Sequence, residues 1–207
     1  MLTYKDLDKT KKAFIFELDD VLYPQKDYLL QVYYLFANFL EYTETVPPAN
    51  ELISFFKKAY EHHGTANIFE RAAEAFAIDL KYLENFNRVH VNAKLPLKLL
   101  LFEEVKELLY EIVNDNKDIF VLTKGNPLMQ LNKIKQIEWG KLGQKVKAYF
   151  YDELFLQGHE QPLTFLLQEN DLTLKDVLIF NRSNEYQKEE KERQIDYISI
   201  DLLLTSK

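Results

Sequence analysis

Ala13-Phe14-Ile15-Phe16-Glu17-Leu18-Asp19-Asp20-Val21-Leu22-Tyr23-Pro24 is the stretch on which the fold turns. Residues 13–18 form a short apolar, β-prone run interrupted only by Glu17, and it stops abruptly at Asp19-Asp20. Near-continuous apolarity, rather than alternation, marks a strand covered on both faces, as in a parallel sheet. The run therefore predicts a buried strand that delivers acids at its carboxyl end. Glu17 and Asp19 stand two residues apart, and if the second has begun to turn, both carboxylates enter one pocket. Such a pair suits a divalent cation or a division into acid and base.

After this strand the hydrophobic period becomes helical. Residues 28–42 are nearly apolar all round, which predicts a helix buried between layers, and 51–62, 68–76 and 82–91 follow as further helices. Pro47-Pro48, Gly64 and Pro96 punctuate them. About seventy residues of helix exceed what a single crossover between parallel strands needs, so they predict an inserted helical subdomain. Strand and helix then alternate: helix 102–113, strand 119–122, the turn Thr123-Lys124-Gly125-Asn126-Pro127, helix 128–138, strand 147–151, helix 162–168, and strands 177–180 and 197–200. Alternation of this kind predicts a parallel sheet with helices on both faces.

Composition narrows the partners. The 207 residues are 47% apolar with only 5 Gly and 6 Pro, enough apolar surface to fold rather than stay disordered. Twenty-six basic against 33 acidic side chains leave a net charge of -7, the wrong sign for a nucleic-acid or anionic-membrane binder. With no cysteine there is no disulfide, thiolate metal site or catalytic thiol. Residues 1–12 are polar and lysine-rich, without a signal-like apolar core, and no apolar run approaches membrane-spanning length, so a cytoplasmic protein is expected.

In this order of elements the chain resembles the haloacid dehalogenase (HAD) superfamily. Asp-Asp-Val-Leu-Tyr-Pro after a strand is similar to the opening of its helical-cap phosphatases and pyrimidine-nucleotidase-like members. The helical insert, the Thr-x-Gly-Asn turn, the Pro-led helix and the late apolar strand with its polar turn extend the resemblance across 13–200. It implies an α/β fold: a Rossmann-like three-layer core with a parallel sheet, formed by 1–25 and 95–207, and an all-helical cap of 26–94 inserted after the first strand.

The resemblance also implies roles. In that family the first motif is Asp-x-Asp, nucleophile then acid and base. Here the positions hold Glu17 and Asp19, and the extra methylene of Glu shifts the attacking oxygen by roughly 1 Å, a misplacement that can cost about 10²-fold in rate. Thr123 matches the hydroxyl that meets phosphate, with the amides of Lys124 and Gly125 as further donors. Gln161 stands where the family has a charge-neutralising lysine before Pro162. Asn181-Arg182 replace the carboxylate pair of the metal motif, with Tyr186 and Gln187 at its later positions, and a guanidinium repels magnesium.

Three departures fall on the nucleophile, the lysine and the metal site, so we expect lost or strongly impaired phosphohydrolase activity: a pseudoenzyme with a retained pocket for a phosphorylated metabolite or other anion, or an interaction role. Arg182 is expected to lie against Glu17 and Asp19 in place of a cation. The first alternative is an active phosphomonoesterase using Glu17 and Asp19. The second is a non-catalytic scaffold that meets a protein partner through the cap. A dehalogenase needs the attacking Asp that Glu17 replaces. No cofactor is expected, and Mg2+, held by Glu17 and Asp19, belongs only to a form that still turns over. His62-His63 diverge on a helix and carry no metal expectation, and Lys188 to Arg193 reads as a solvated helix face.

Overall fold

The computed structural model describes residues 2–182 and 196–204. The chain forms two compact units: Met1–Pro24, Leu100–Gln130 and Ile137–Lys207 make a sheet unit, and Gln25–Leu99 with Leu131–Gln136 make a helical unit. The later metal-motif positions, Tyr186 and Gln187, and the stretch 188–193 lie outside the described residues.

In the sheet unit, β1 (Ala13–Phe16), β2 (Asp118–Thr123), β3 (Val146–Phe150), β4 (Val177–Asn181) and β5 (Tyr197–Ser199) lie in the order β3-β2-β1-β4-β5. All four pairings are parallel, with Phe16 opposite Val121 on one side and Phe180 on the other. Every residue of β1 and β4 is buried, which is why the two strands read as unbroken apolar runs.

The two faces of the sheet separate by alternation. Ala13, Ile15, Phe120, Val177 and Ile179 pack with Leu166 and Leu167 of α8 (Pro162–Glu169). Phe14, Phe16 and Phe180 form a second, aromatic layer; the Phe16 and Phe180 rings stack at 4.7 Å and Phe14 meets Tyr4 at 6.1 Å. The helix α5 (Glu103–Asn114) packs against β2. The sequence reading ends a strand at 151 with no helix after it, whereas Tyr151–Leu156 forms a short helix, α7, directly after β3.

The helical unit holds α1 (Gln25–Glu44), α2 (Ala49–His63), α3 (Ile68–Phe76) and α4 (Leu83–Asn92). Phe36, Phe56, Phe69 and Phe86 form its centre, with Phe36 edge-on to Phe86 at 5.0 Å and Tyr33 stacked on Phe56 at 4.9 Å. The expectation that α1 is buried all round is corrected here. Leu29, Val32, Tyr33, Phe36, Ala37 and Leu40 form one buried stripe, while Tyr34 and Tyr42 are exposed. Tyrosine carries a polar tip and tolerates solvent, so a tyrosine-rich helix shows less amphipathic contrast in sequence than in space. The helix α6 (Pro127–Gln136) begins in the sheet unit, and its last six residues belong to the helical unit.

Candidate active site at the strand carboxyl ends

The parallel register puts Glu17, Leu122 and Asn181 one residue beyond or level with the last paired row of β1, β2 and β4, so their side chains leave the sheet on the same face. A cavity of about 60 Å³ opens there, and Ile15, Leu122, Leu163 and Ile179 supply its apolar wall. Glu17, Lys124, Tyr151 and Asn181 are its polar lining. Three of the residues singled out in the sequence thus share one cavity. Lys124 is exposed on the turn after β2, and its ammonium sits 4.5 Å from the centre of the Tyr151 ring, a cation–π contact.

Asp19 lies beside this cavity in a different hydrogen-bond group. The backbone folds back after β1: Asp20 takes a left-handed φ of 57°, and its amide donates to the Tyr23 carbonyl at 3.0 Å. This returns Tyr23 to Asp19, and the Tyr23 hydroxyl donates to the Asp19 carboxylate at 2.6 Å. Gln130 approaches from α6. Its Nε2 donates to Thr123 Oγ1 at 2.9 Å and reaches the other Asp19 oxygen at 3.3 Å, and it also donates to the Lys124 carbonyl. Three acceptors around one nitrogen fix the amide orientation, because a flip would set the Gln130 oxygen against a carboxylate and a carbonyl.

The sequence reading missed Gln130 and Tyr23. A signal was present for Gln130: Asn126 caps α6, its Oδ1 accepting from the Leu128 and Met129 amides, which puts position 130 on the first turn, facing back to the strand end. The reading also missed Asp152. At the start of α7, its Oδ2 accepts the Gly125 amide at 2.6 Å. The Gly125 N–H, expected as a donor to an anion, therefore already has an anionic partner in the chain.

The remaining positions lie apart from the cavity lining. Gln161 is exposed at the start of α8, and its Oε1 accepts from the Thr164 hydroxyl at 3.1 Å. Arg182 does not lie against Glu17 and Asp19. Its guanidinium pairs with Asp201 at 3.1 Å and Asp20 at 3.8 Å, which corrects the expectation. The side chain is 46% exposed, so these pairs are solvent-screened and weak. The physical reason is the turn after β1, which sends Asp20 outward while Asp19 is drawn to Tyr23 and Gln130.

Magnesium, which the fold family implies, is poorly matched by this donor set. It favours several hard, anionic oxygens in octahedral array. The end of β4 supplies a neutral carboxamide, Asn181, followed by a cation, Arg182. Among the described residues no three His, Cys, Asp or Glu side chains come together as a metal group.

No family model matches the sequence, and no curated protein matches it. Solved structures do match in fold. The proposed HAD-hydrolase YfnB from Bacillus subtilis, whose crystal form binds magnesium, superposes with a TM-score of 0.59 at 11% identity, over 90% of this chain and 85% of that one. A proposed β-phosphoglucomutase from Thermotoga maritima gives 0.55 at 18% identity, over 89% and 82%. A dehalogenase with a bound intermediate gives 0.54 at 13% identity, over 97% and 89%. Among the described residues no helix is long and apolar enough to cross a membrane. The parallel order β3-β2-β1-β4-β5, the helices between β1 and β2 and these superpositions give the chain the fold of the haloacid dehalogenase superfamily.

Proposed function

We propose that this chain is a HAD-fold protein in which phosphohydrolase turnover is lost or strongly impaired, and that the pocket at the carboxyl ends of β1, β2 and β4 serves to bind a small phosphorylated or otherwise anionic ligand. The division into a core of 1–25 and 95–207 and a cap of 26–94 is part of this reading. The observation that carries it is the chemistry at the end of β4, where Asn181 and Arg182 replace acids and Arg182 is engaged by Asp20 and Asp201. A phosphoryl-transfer site works by placing cations on the transferred oxygens. Here Gln161 brings no charge and faces solvent, which leaves Lys124 as the lysine lining the cavity.

The pocket's own residues suit binding better than chemistry. Lys124 offers a charge to an anion at the cavity mouth, Tyr151 and the Ile15, Leu122, Leu163 and Ile179 wall exclude water from an apolar portion, and Asn181 donates or accepts a hydrogen bond. Glu17 carries its carboxylate one methylene farther than an aspartate would. The alternative, an active phosphomonoesterase, draws on Asp19, which Tyr23 and Gln130 hold in one orientation as an acid and base would need.

Calorimetric titration with magnesium and hydrolysis of a phosphomonoester panel, on wild type and Asp19→Asn prepared identically, separate the two. We expect no saturable magnesium signal and equal background hydrolysis. A magnesium isotherm and turnover that both vanish in Asp19→Asn would establish the alternative.

A further inference from the structure

The chain carries a net charge of -7, yet its helical unit holds ten Lys and Arg against nine Asp and Glu, so the acidic excess lies elsewhere. Within that unit a groove of about 560 Å³ opens between α2 and α3. Ala59 and Ala75 leave room for a chain to approach, and Phe55, half-buried and edge-on to Phe76 at 5.4 Å, supplies an aromatic patch. Lys58, His62, His63 and Arg71 stand along the groove, all exposed, against a single acid, Glu74. The two histidines have an internal explanation, since they close the last turn of α2, where basic side chains complement the helix dipole. Lys58 and Arg71 have none. Among the described residues neither forms an ion pair, although Glu74 follows Arg71 by three positions on α3. Glu61, the acid in the last turn of α2, is paired with Lys26 at 3.0 Å. The Arg71 Nε donates to the Ala66 carbonyl at 3.4 Å, which orients the guanidinium and leaves its two terminal nitrogens without a partner among the described residues.

We propose that the α2–α3 groove is a docking surface for an acidic segment of a protein partner, whose carboxylates meet Lys58 and Arg71 while an apolar side chain rests on Phe55. Charge complementarity selects this occupant. A carboxylate matches the guanidinium fork in a bidentate pair. The -7 charge of the whole chain opposes the extended anionic surface of a nucleic acid or a membrane, whereas a short segment meets only the near-neutral helical unit. Exposed ion pairs are individually weak, so the contact is transient and sensitive to salt. The groove shares no lining residue with the cavity at the strand ends, so the proposal stands apart from the function proposed above.

The test is fluorescence anisotropy of a fluorescein-labelled acidic peptide, EEFEELEE, with the basic KKFKKLKK as its counterpart, titrated with the full chain. The variants are Lys58→Glu with Arg71→Glu, the milder Lys58→Gln with Arg71→Gln, and Lys98→Glu with Lys135→Glu, exposed positions outside the groove that make the same change in net charge. We expect wild type to bind the acidic peptide and not the basic one, and to lose it as salt rises from about 0.01 M to about 1 M, which shortens the screening length from ~30 Å to ~3 Å. Reversal of Lys58 and Arg71 should weaken binding about tenfold or more, the glutamine pair should weaken it less, and the Lys98 and Lys135 control should match wild type. Circular dichroism verifies folding, and the glutamine pair decides if the reversed pair does not fold. No binding of the acidic peptide by wild type, or an equal loss in the control, overturns the proposal. So does sedimentation showing that the chain associates with itself through this groove, or binding to phosphatidylserine vesicles in preference to the peptide.

Discussion

The interior of the sheet unit and the interior of the helical unit differ in which buried polar groups they satisfy. In the sheet unit Lys11, nearly fully buried, donates to the Lys175 carbonyl at 2.9 Å and pairs with Asp196, and the Gln130 amide nitrogen serves Thr123 and Asp19, while the Gln130 Oε1 is buried without a hydrogen-bond partner among the described residues. In the helical unit the Tyr33 hydroxyl and the His90 Nε2 are buried without a hydrogen-bond partner among the described residues. The His90 ring lies 5.8 Å from that of Tyr33, and the buried Lys133 ammonium lies 5.0 Å from the Tyr28 ring. At the strand ends the Gln130 amide nitrogen is fixed against Thr123 and Asp19, whereas the Tyr33 hydroxyl and the His90 Nε2 are buried at a cost to stability.

The largest expected effect probes what pays for that deficit. Phe36 is fully buried and touches the Phe56, Phe69 and Phe86 rings, so Phe36→Ala should cost about 3–5 kcal/mol in equilibrium urea unfolding. A loss under about 1 kcal/mol would mean that the aromatic centre is not what offsets the buried polar atoms.

Next comes pH. Burial, reinforced by the Lys133 charge, pushes the His90 imidazole down to about 4, below its ordinary value of 6.5. The neutral ring is favoured in the folded chain, so stability is complete above about 6.5 and falls as pH drops toward 4, by up to about 3 kcal/mol. Urea midpoints of wild type should decline across that window and those of His90→Gln should decline less. Parallel curves would remove His90 from the account. The carboxylates of Asp6, Asp8 and Asp115, held below their ordinary range by hydrogen bonds, lose their contribution only at lower pH.

The smallest effect is a difference in sign between two tyrosines. Tyr23→Phe removes a donor to the Asp19 carboxylate and should destabilise by about 1–2 kcal/mol. Tyr33→Phe removes a hydroxyl that has no partner among the described residues, and should be neutral or stabilising by up to about 1 kcal/mol. Equal losses in the two variants would erase the contrast between the interiors.

The placement of the contiguous candidate residues at strand ends was legible in the sequence. Glu17 and Asp19 follow an unbroken apolar strand, Thr123 to Gly125 follow another, and parallel topology brings strand ends together whatever the loops do. What could not be read is the set of partners that pass between elements. Asp152 meets Gly125 across 27 positions and Gln130 meets Asp19 across 111, and no local period marks either pair. Arg182 shows the same limit, since which of three neighbouring acids it faces depends on the left-handed turn at Asp20. Helix α7 was hidden because Tyr151–Leu156 is only six residues long, too short to show a helical period, and Asp152-Glu153 interrupt its apolar residues.

The central proposal, that phosphoryl transfer is lost or strongly impaired with the altered motifs at the strand ends, is tested most directly by magnesium-dependent hydrolysis of a phosphomonoester panel by wild type against Asp19→Asn. Both proteins are expected to show the same background rate at every substrate. Turnover present in wild type and absent in Asp19→Asn would contradict it and restore Glu17 and Asp19 to catalysis.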